Sequence, residues 1–492
     1  MTAPSFLSTP SGSLQGRLRV PGDKSISHRV LMLAALSPKV SQITGLLPSA
    51  DVGATAQCLR QLGATITWQP SQTVATVHGG LPWREPSNCL DAQNSGTTLR
   101  LLSGLITGAM STLEGGGYVV LSGDDSLRTR PMGRVLLPLA HMGANVHGRA
   151  QNTLAPISIL PTGGIIRGMT YALPVASAQV KSALLLAGLF ASSPQQLIEP
   201  IFTRDHTERL LTYAGVPLSI EADWAARDEH DDTQSEDILS QELPIGQTLT
   251  IDNFDWEQFY EPSRCHWPDV WSVPGDISSA AFWMVAASLC PASEITLAHV
   301  GLNPSRTGLL DILLEAGADI AVDNAQELCG EPVADLTVKS ASLSGDIVVD
   351  GASLPRLIDE IPILAVAAIW LNGTLTVSGA EELRKKESDR IRLIAELLHS
   401  VGVAVDVRDD GFLLQGNPDC VIHAPSGVIT THHDHRIAMA ASILETVARS
   451  RGQLTGDDSP WTLDDSDCVA VSYPGFFEDL LSLTQAKRSV SS

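Results

Sequence analysis

Residues 59–68 read LRQLGATITW: an apolar stretch with helical spacing, a glycine, then an alternating run suited to a strand. Glycine fits the position just past a helix, where left-handed backbone geometry closes the last turn before the next element starts. The same phrase returns as LAHMGANVHG (139–148), LLTYAGVPLSI (210–220), LLEAGADIAV (313–322) and LLHSVGVAVDV (397–407). Its glycines, Gly63, Gly143, Gly215, Gly317 and Gly402, lie 72 to 102 residues apart. One such turn is ordinary in α/β proteins. Five at this interval predict a repeated α/β unit.

A second phrase interleaves with the first, in which small polar or charged residues run straight into an apolar helix. It appears as GDKSISHRVLML (22–33), NSGTTLRLLSGL (94–105), SAQVKSALLLAGL (177–189), GDISSAAFWMVAA (275–287), KKESDRIRLIAELL (385–398) and DHRIAMAASIL (434–444). Ser, Thr, Asp and Asn are common N-caps, so each start alone is unremarkable chemically. Most of these starts also carry Lys or Arg in the first turns, where the helix dipole disfavours a cation. Converging helix starts of this kind would form a site for anions.

At 492 residues the chain exceeds one ordinary core, so two domains are expected. No apolar run reaches the roughly 18 residues that span a bilayer. The first 13 residues are rich in Ser, Pro and Thr, without a basic start and apolar core. A cytoplasmic protein with no membrane association is therefore expected. The formal net charge of −23 disfavours nucleic acid as a partner. Residues 221–270 hold 14 Asp and Glu against only Arg227 and Arg264, together with Trp224, Trp256 and Trp267, and Trp271 follows directly. This stretch reads as an acidic surface insertion near a domain crossover. The seven cysteines are scattered and never form CxxC, which points to reduced thiols rather than disulfides or zinc.

Several clusters carry chemistry. Ser25 and Arg29 are four apart on one helix face, beside Lys24, and can hold a phosphate or carboxylate. NSGTTLR (94–100) offers backbone N–H groups in a glycine turn, with Arg100 one turn on. No GxxxxGK[ST] or GxGxxG occurs, which disfavours nucleotide binding. SGDDSLRTRPMGR (122–134) crowds Arg128, Arg130 and Arg134 around Pro131; a solvated basic turn is the plain alternative. TRDHTER (203–209) adds Arg204 and His206. In RKKESDR (384–390), Lys386 and Arg390 share a helix face beside Glu387, a carboxylate placed for proton transfer among cations. LIDEIPILAVAA (357–368) puts Asp359 and Glu360 ahead of an apolar helix, as caps or as a base. HHDHR (432–436) reads as a hydrogen-bonded helix cap rather than a metal site, so no metal is expected.

In chain order, GDKS, NSGTTLR, SAQVK, RDHTE, RKKESDR and DHR resemble the 5-enolpyruvylshikimate-3-phosphate synthase family, from about residue 15 to 482. The resemblance implies an α/β, two-domain enolpyruvyl transferase fold. Each domain would contain three repeated βαβαββ units, with the ligand cleft between domains. It also implies chain crossovers near residues 21 and 274. Residues 22–273 would form the shikimate 3-phosphate domain, with the acidic insertion at about 221–270. Residues 1–21 plus 274–492 would form the second, carrying Asp359, Glu387, Arg390 and Arg436.

The implied reaction transfers the enolpyruvyl group of phosphoenolpyruvate to the 5-hydroxyl of shikimate 3-phosphate by addition and elimination, releasing phosphate without a cofactor. Two polyanions held side by side account for the cationic helix starts. The resemblance assigns shikimate 3-phosphate to Lys24, Ser25, Arg29, Ser177, Ala178, Gln179, Arg204, Asp359 and Lys386. It assigns phosphoenolpyruvate to Lys24, Gly96, Arg130, Gln179, Arg390 and Arg436. Asp359 becomes the base for the 5-hydroxyl, while Glu387 and Lys24 are candidates for moving the proton at the enolpyruvyl carbon. Family habit implies a monomer.

Two departures stand out. Many relatives carry a lysine directly before a Ser/Thr–aromatic–Pro turn, where VAVSYPGFF (469–477) has Val471; Ala178 replaces a serine of other branches. The sister family, UDP-N-acetylglucosamine enolpyruvyl transferase, usually has a cysteine where this chain reads GDDSLRTRP (123–131), and no cysteine lies between Cys89 and Cys265. A non-catalytic binder would need no carboxylates facing its anions. An RNA-end-modifying relative is opposed by the acidic charge.

Overall fold

The computed structural model describes residues 12–69, 71–113, 117–224, 243–252, 254–255, 267–457 and 459–485. The chain divides into two units. One comprises Gly22–Pro274 with Glu327–Glu331; the other comprises Met1–Pro21, Gly275–Gln326 and Pro332–Ser492. Pro274 and the short segment Glu327–Glu331 thus group with the first unit. His206 Nδ1 and Glu331 Oε1 lie 2.8 Å apart there, and Arg209 Nη1 donates to the Gly330 carbonyl at 3.1 Å.

The glycine phrase marks real helix ends. Gly63, Gly143, Gly215, Gly317 and Gly402 all have positive φ, between 83° and 121°. Five repeats each combine a strand, a helix, a parallel second strand, a second helix ending at such a glycine, and two further strands. The four strands are ordered first, second, fourth, third in all five four-stranded sheets. The first and second strands are parallel, whereas the second and fourth are antiparallel. Parallel neighbours need a crossover; one helix supplies it in the sheets that begin with Leu90–Asp91, Thr170–Ala172 and Ile347–Val349, whereas in the other two the first strand comes from far along the chain.

In the Gly22–Pro274 unit, the sheets are completed by Val270–Ser272, Leu90–Asp91 and Thr170–Ala172 as first strands. Val270–Ser272, late in the chain, pairs with Val40–Thr44 in the register Val270 to Gln42. In the other unit, Gln15–Leu18 from the chain start pairs with Glu294–Gly301, Gln15 opposite Glu294. The sixth repeat is reduced to Ile422–His423 beside Leu454–Thr455. The short turn Asp467–Val471 and the helix Phe476–Gln485 follow, without a third or fourth strand among the described residues.

The helices form the buried interior of each unit. Every residue of Ile277–Leu289 and of Ile361–Ile369 is buried. Gly96–Ser111 and Ala178–Gly188 pack backbone to backbone: a Cβ on Gly104 would lie 1.9 Å from the Ala183 carbonyl oxygen. That close approach brings the N-termini of the two helices together, which matters for the site. Buried leucines at this seam, such as Leu101, Leu105 and Leu184, each stabilise the unit by roughly 1.5–3 kcal/mol.

The stretch 221–270 is not one surface insertion. Gly246–Ile251 is a paired strand between Gln195–Glu199 and Leu218–Asp223, with Leu249 and Ile251 buried. Trp267 and Trp271 are core residues with ring centroids 6.3 Å apart. Trp224 is half exposed, and Trp256, with 225–242 and 256–266, lies outside the described residues. Charge counted over fifty residues merged an acidic segment with core strands whose alternate residues are apolar. No helix among the described residues is long and apolar enough to cross a membrane.

Candidate active site

In the Gly22–Pro274 unit the expected residues fall into two linked groups. The Lys24–Leu36 helix is capped by Asp23, whose side chain accepts from the Ile26 N–H at 2.9 Å. Lys24 therefore sits in the first turn with no acidic residue there to offset it; Asp51 does so from another helix, at 2.5 Å. Arg29 is buried, and each of its three nitrogens makes a hydrogen bond. Its Nε donates to Thr207 Oγ1 at 2.7 Å, Nη2 to Ser182 Oγ at 2.8 Å and Nη1 to the Ser25 carbonyl at 2.9 Å. Burial lowers its pKa to about 10, which leaves it charged at neutral pH. Through these bonds Arg29 joins Ser25, the Ala178–Gly188 helix and the segment that follows Arg204.

Ser177 caps the Ala178–Gly188 helix, accepting from the Val180 N–H at 3.4 Å. Lys181 in SAQVK has a structural place, wholly buried between Glu199 at 2.8 Å and Glu208 at 2.7 Å. It also donates to the Thr203 carbonyl at 3.4 Å, next to Arg204.

The second group centres on Arg100. Its Nη1 donates to the Gln179 amide oxygen at 2.6 Å, and the Gln179 amide nitrogen donates to Thr97 Oγ1 at 3.1 Å. Arg130 Nη2 donates to Asn94 Oδ1 at 2.6 Å. Gly96 opens the helix capped by Ser95 and lies under both guanidinium groups: an added Cβ would sit 3.0 Å from Arg100 Nη1 and 3.5 Å from Arg130 Nη1. A helix N-terminus with two guanidinium groups over a side-chain-free position is suited to an anion. Arg128 of the same turn is instead paired with exposed Asp125.

In the other unit, Arg390 is the centre. It is 1% exposed, and three carboxylates surround it: Asp434 at 2.9 Å, Glu387 at 2.8 Å and Asp359 at 3.2 Å. Lys386 reaches Asp359 at 3.4 Å. Burial alone would lower the Arg390 pKa, but the charges of Asp434, Glu387 and Asp359 reverse this and raise it. Burial likewise pushes the Asp434 carboxyl up, and Arg390 more than offsets it, leaving its pKa low. Asp434 also caps the His435–Ser450 helix through the Arg436 N–H at 2.9 Å. Arg436 Nη1 donates to the Ser278 carbonyl at 3.1 Å.

The neighbours Asp359 and Glu360 part company: Asp359 faces Lys386 and Arg390, whereas Glu360 is buried against Ser278 and Arg306. The histidines of HHDHR also diverge, His432 to Arg392 and His433 to Asp465. Among the described residues, no group of three or more His, Cys, Asp or Glu is placed to hold a metal. Val471 closes the Asp467–Val471 turn.

Sequence reading gave Asp51, Thr97 and Ser278 no place here. Asp51 is a first-turn acid of the helix capped by Ser49, and nothing local in the sequence ties it to Lys24. Ser278, in GDIS, was visible only as one more small residue at a helix start.

Repeated βαβαββ units with cationic helix starts, and an arginine–carboxylate cluster in the second unit, define an anion-handling transferase of the enolpyruvyl type. A model of the family EPSP synthase (3-phosphoshikimate 1-carboxyvinyltransferase) matches residues 8–228 and 251–480. A 3-phosphoshikimate 1-carboxyvinyltransferase of Synechococcus sp. (strain JA-3-3Ab) is 43% identical over 96% of each chain. That of Gloeobacter violaceus is 42% identical over 98% of this chain and 99% of its own. The solved EPSP synthase of Acinetobacter baumannii covers 97% of each chain at 34% identity, with a TM-score of 0.76. The enolpyruvyl transferase NikO of Streptomyces tendae, at 16% identity and a TM-score of 0.64, shares the fold. This chain belongs to the EPSP synthase family, whose reaction transfers the enolpyruvyl group of phosphoenolpyruvate to shikimate 3-phosphate in the shikimate pathway. The family match is interrupted between 228 and 251, where the chain is most acidic.

Proposed function

We propose that this chain joins phosphoenolpyruvate to the 5-hydroxyl of shikimate 3-phosphate by addition followed by elimination of phosphate. The observation that carries this reading is the Arg390 cluster: two partly exposed carboxylates, Asp359 and Glu387, held against a buried guanidinium and Lys386. A carboxylate fixed beside cations is oriented, as a general base must be.

In the addition step, the 5-hydroxyl oxygen bonds to C2 of phosphoenolpyruvate and its proton passes to Asp359. The C2–C3 double-bond pair takes a proton at C3, from Glu387 or Lys24. In the elimination step the C2–O bond to phosphate breaks with its electron pair, and a C3 proton returns to the same acid–base group. Ser25, Arg29, Ser177, Ala178, Gln179, Arg204 and Lys386 serve shikimate 3-phosphate. Gly96, Arg130, Gln179, Arg390 and Arg436 serve phosphoenolpyruvate, and Lys24 contacts both. The reading extends to a monomer working in the cytoplasm, which follows family habit; light scattering of the purified protein tests the monomer.

Turnover in D2O followed by proton NMR tests the chemistry. Deuterium should enter the product methylene only when both substrates are present. A product free of deuterium would exclude protonation at C3.

A further inference from the structure

The Ile277–Leu289 helix starts with the phrase GDIS, as the Lys24–Leu36 helix starts with GDKS. Both are capped by the aspartate of the phrase. In the first, Lys24 and Ser25 are partly exposed; in the second, Ile277 replaces the lysine and Ser278 is wholly buried. Beyond the cap bond from its N–H to Asp276, Ser278 has three partners. Its hydroxyl donates to Glu360 and accepts from Arg306 Nη2 at 2.5 Å. Its backbone carbonyl accepts from Arg436 Nη1 at 3.1 Å. Glu360 directly follows Asp359 in the chain, so one serine touches the segment carrying the base and the arginine assigned to phosphoenolpyruvate.

A purely stabilising role accounts poorly for these groups. Buried ion pairs often stabilise no better than apolar residues of the same volume. Arg306 lies 3.7 Å from both Glu360 and Asp276, longer than a hydrogen bond to either. Glu360 Oε2 is buried and has no hydrogen-bond partner among the described residues. Retaining such a carboxylate destabilises the unit, so its value lies in fixing geometry.

We infer that Ser278 and Glu360 are positioning residues, which hold Asp359 and Arg436 in fixed relation to one another. Glu360 anchors the first turn of the Ile361–Ile369 helix to Ser278, and Asp359 is thereby left pointing at Lys386 and Arg390. Arg306 supplies the charge that keeps the Glu360 carboxylate in place. The inference rests on the assignment of Asp359 as base and Arg436 as a phosphoenolpyruvate contact.

The test uses the full-length enzyme with both substrates. Ser278→Ala removes one hydroxyl and leaves the carbonyl to Arg436. It should lower kcat by about tenfold, because small misplacements of a catalytic group cost this much or more. KM for each substrate should stay within about threefold. Glu360→Ala should lower kcat further, and added formate should restore it where formamide does not. A loss of packing alone would respond to neither. Ser278→Ala with wild-type kcat, or formate without effect on a folded Glu360→Ala, would overturn the inference. If Glu360→Ala does not fold, the Ser278→Ala result decides. Asp359→Ala is assayed alongside: normal turnover there would defeat the assignment of the base itself, whereas an inactive Asp359→Ala beside a normal Ser278→Ala would defeat only the positioning role.

Discussion

Replacing Asp434 should unsettle the second unit and its site together. The side chain is wholly buried and holds Arg390 through two bonds, Nε to Oδ2 at 2.9 Å and Nη2 to Oδ1 at 3.3 Å. It also accepts from Ser388 Oγ at 2.8 Å and caps the His435–Ser450 helix. Asp434→Ala leaves Arg390 facing only Asp359 and Glu387, both partly exposed. Breaking a buried pair from one side costs about 3–5 kcal/mol, and losing a cap adds about 1 kcal/mol. At roughly 2–4 °C per kcal/mol for a unit of this size, the melting transition should fall by about 8–24 °C. Asp434→Asn keeps the shape and the cap acceptor. Its NH2 replaces Oδ2, the acceptor of Arg390 Nε and Ser388 Oγ, so a charge-assisted bond worth about 1.5–3 kcal/mol is lost and a drop of about 3–12 °C is expected. Circular dichroism melts of the three proteins at matched concentration measure this, with the KM for phosphoenolpyruvate taken on the folded variants. That KM should rise in both, because Arg390 is free to turn toward Asp359 and Glu387. A shift below about 2 °C for Asp434→Ala would show that the cluster does not hold Arg390 as described.

Further outcomes follow from the same geometry. Asp359→Ala and Glu387→Gln should each cut turnover by at least about 100-fold without unfolding the protein, because a positioned acid or base contributes about 10²–10⁴-fold; near-normal steady-state kcat in either variant removes that residue from its role. Gly96→Ala places a methyl 3.0 Å from Arg100 Nη1, so Arg100 must shift and Gln179 with it. The KM for phosphoenolpyruvate should rise more than that for shikimate 3-phosphate, and equal effects would contradict the placement. His28 is buried and bonded to Thr55, and burial lowers its pKa to about 3. The unfolded chain binds a proton at this position below about pH 6.5 and the folded chain does not, so stability present above that pH is lost as pH falls toward 3. The ring-proton NMR signal of His28 should stay flat from pH 8 to pH 5, and an ordinary titration near 6.5 would refute its burial as a neutral ring.

The repeat was legible because a helix end is a local event. Five helix–glycine–strand phrases became five positive-φ turns, each followed by a strand in a sheet of the same order. In the sixth repeat no strand follows the Phe476–Gln485 helix among the described residues, so the helix–glycine–strand phrase has no counterpart there. Cations at helix starts were equally plain. Their partners were not, because packing brings them from far along the chain: Lys24 to Asp51, Arg100 to Gln179, Arg390 to Asp434. Asp359 and Glu360 are adjacent acids before one helix, and only the fold turns one toward Lys386 and the other toward Ser278. Composition misled at 221–270, where Trp267 and Trp271 belong to the core.

The most direct measurement is phosphate release by the purified protein, without added metal, from phosphoenolpyruvate together with either shikimate 3-phosphate or UDP-N-acetylglucosamine. Release only with shikimate 3-phosphate is the predicted result. Release only with the nucleotide sugar would contradict the substrate assignment. Tight shikimate 3-phosphate binding with no release at all would contradict the catalytic reading of Asp359 and Glu387.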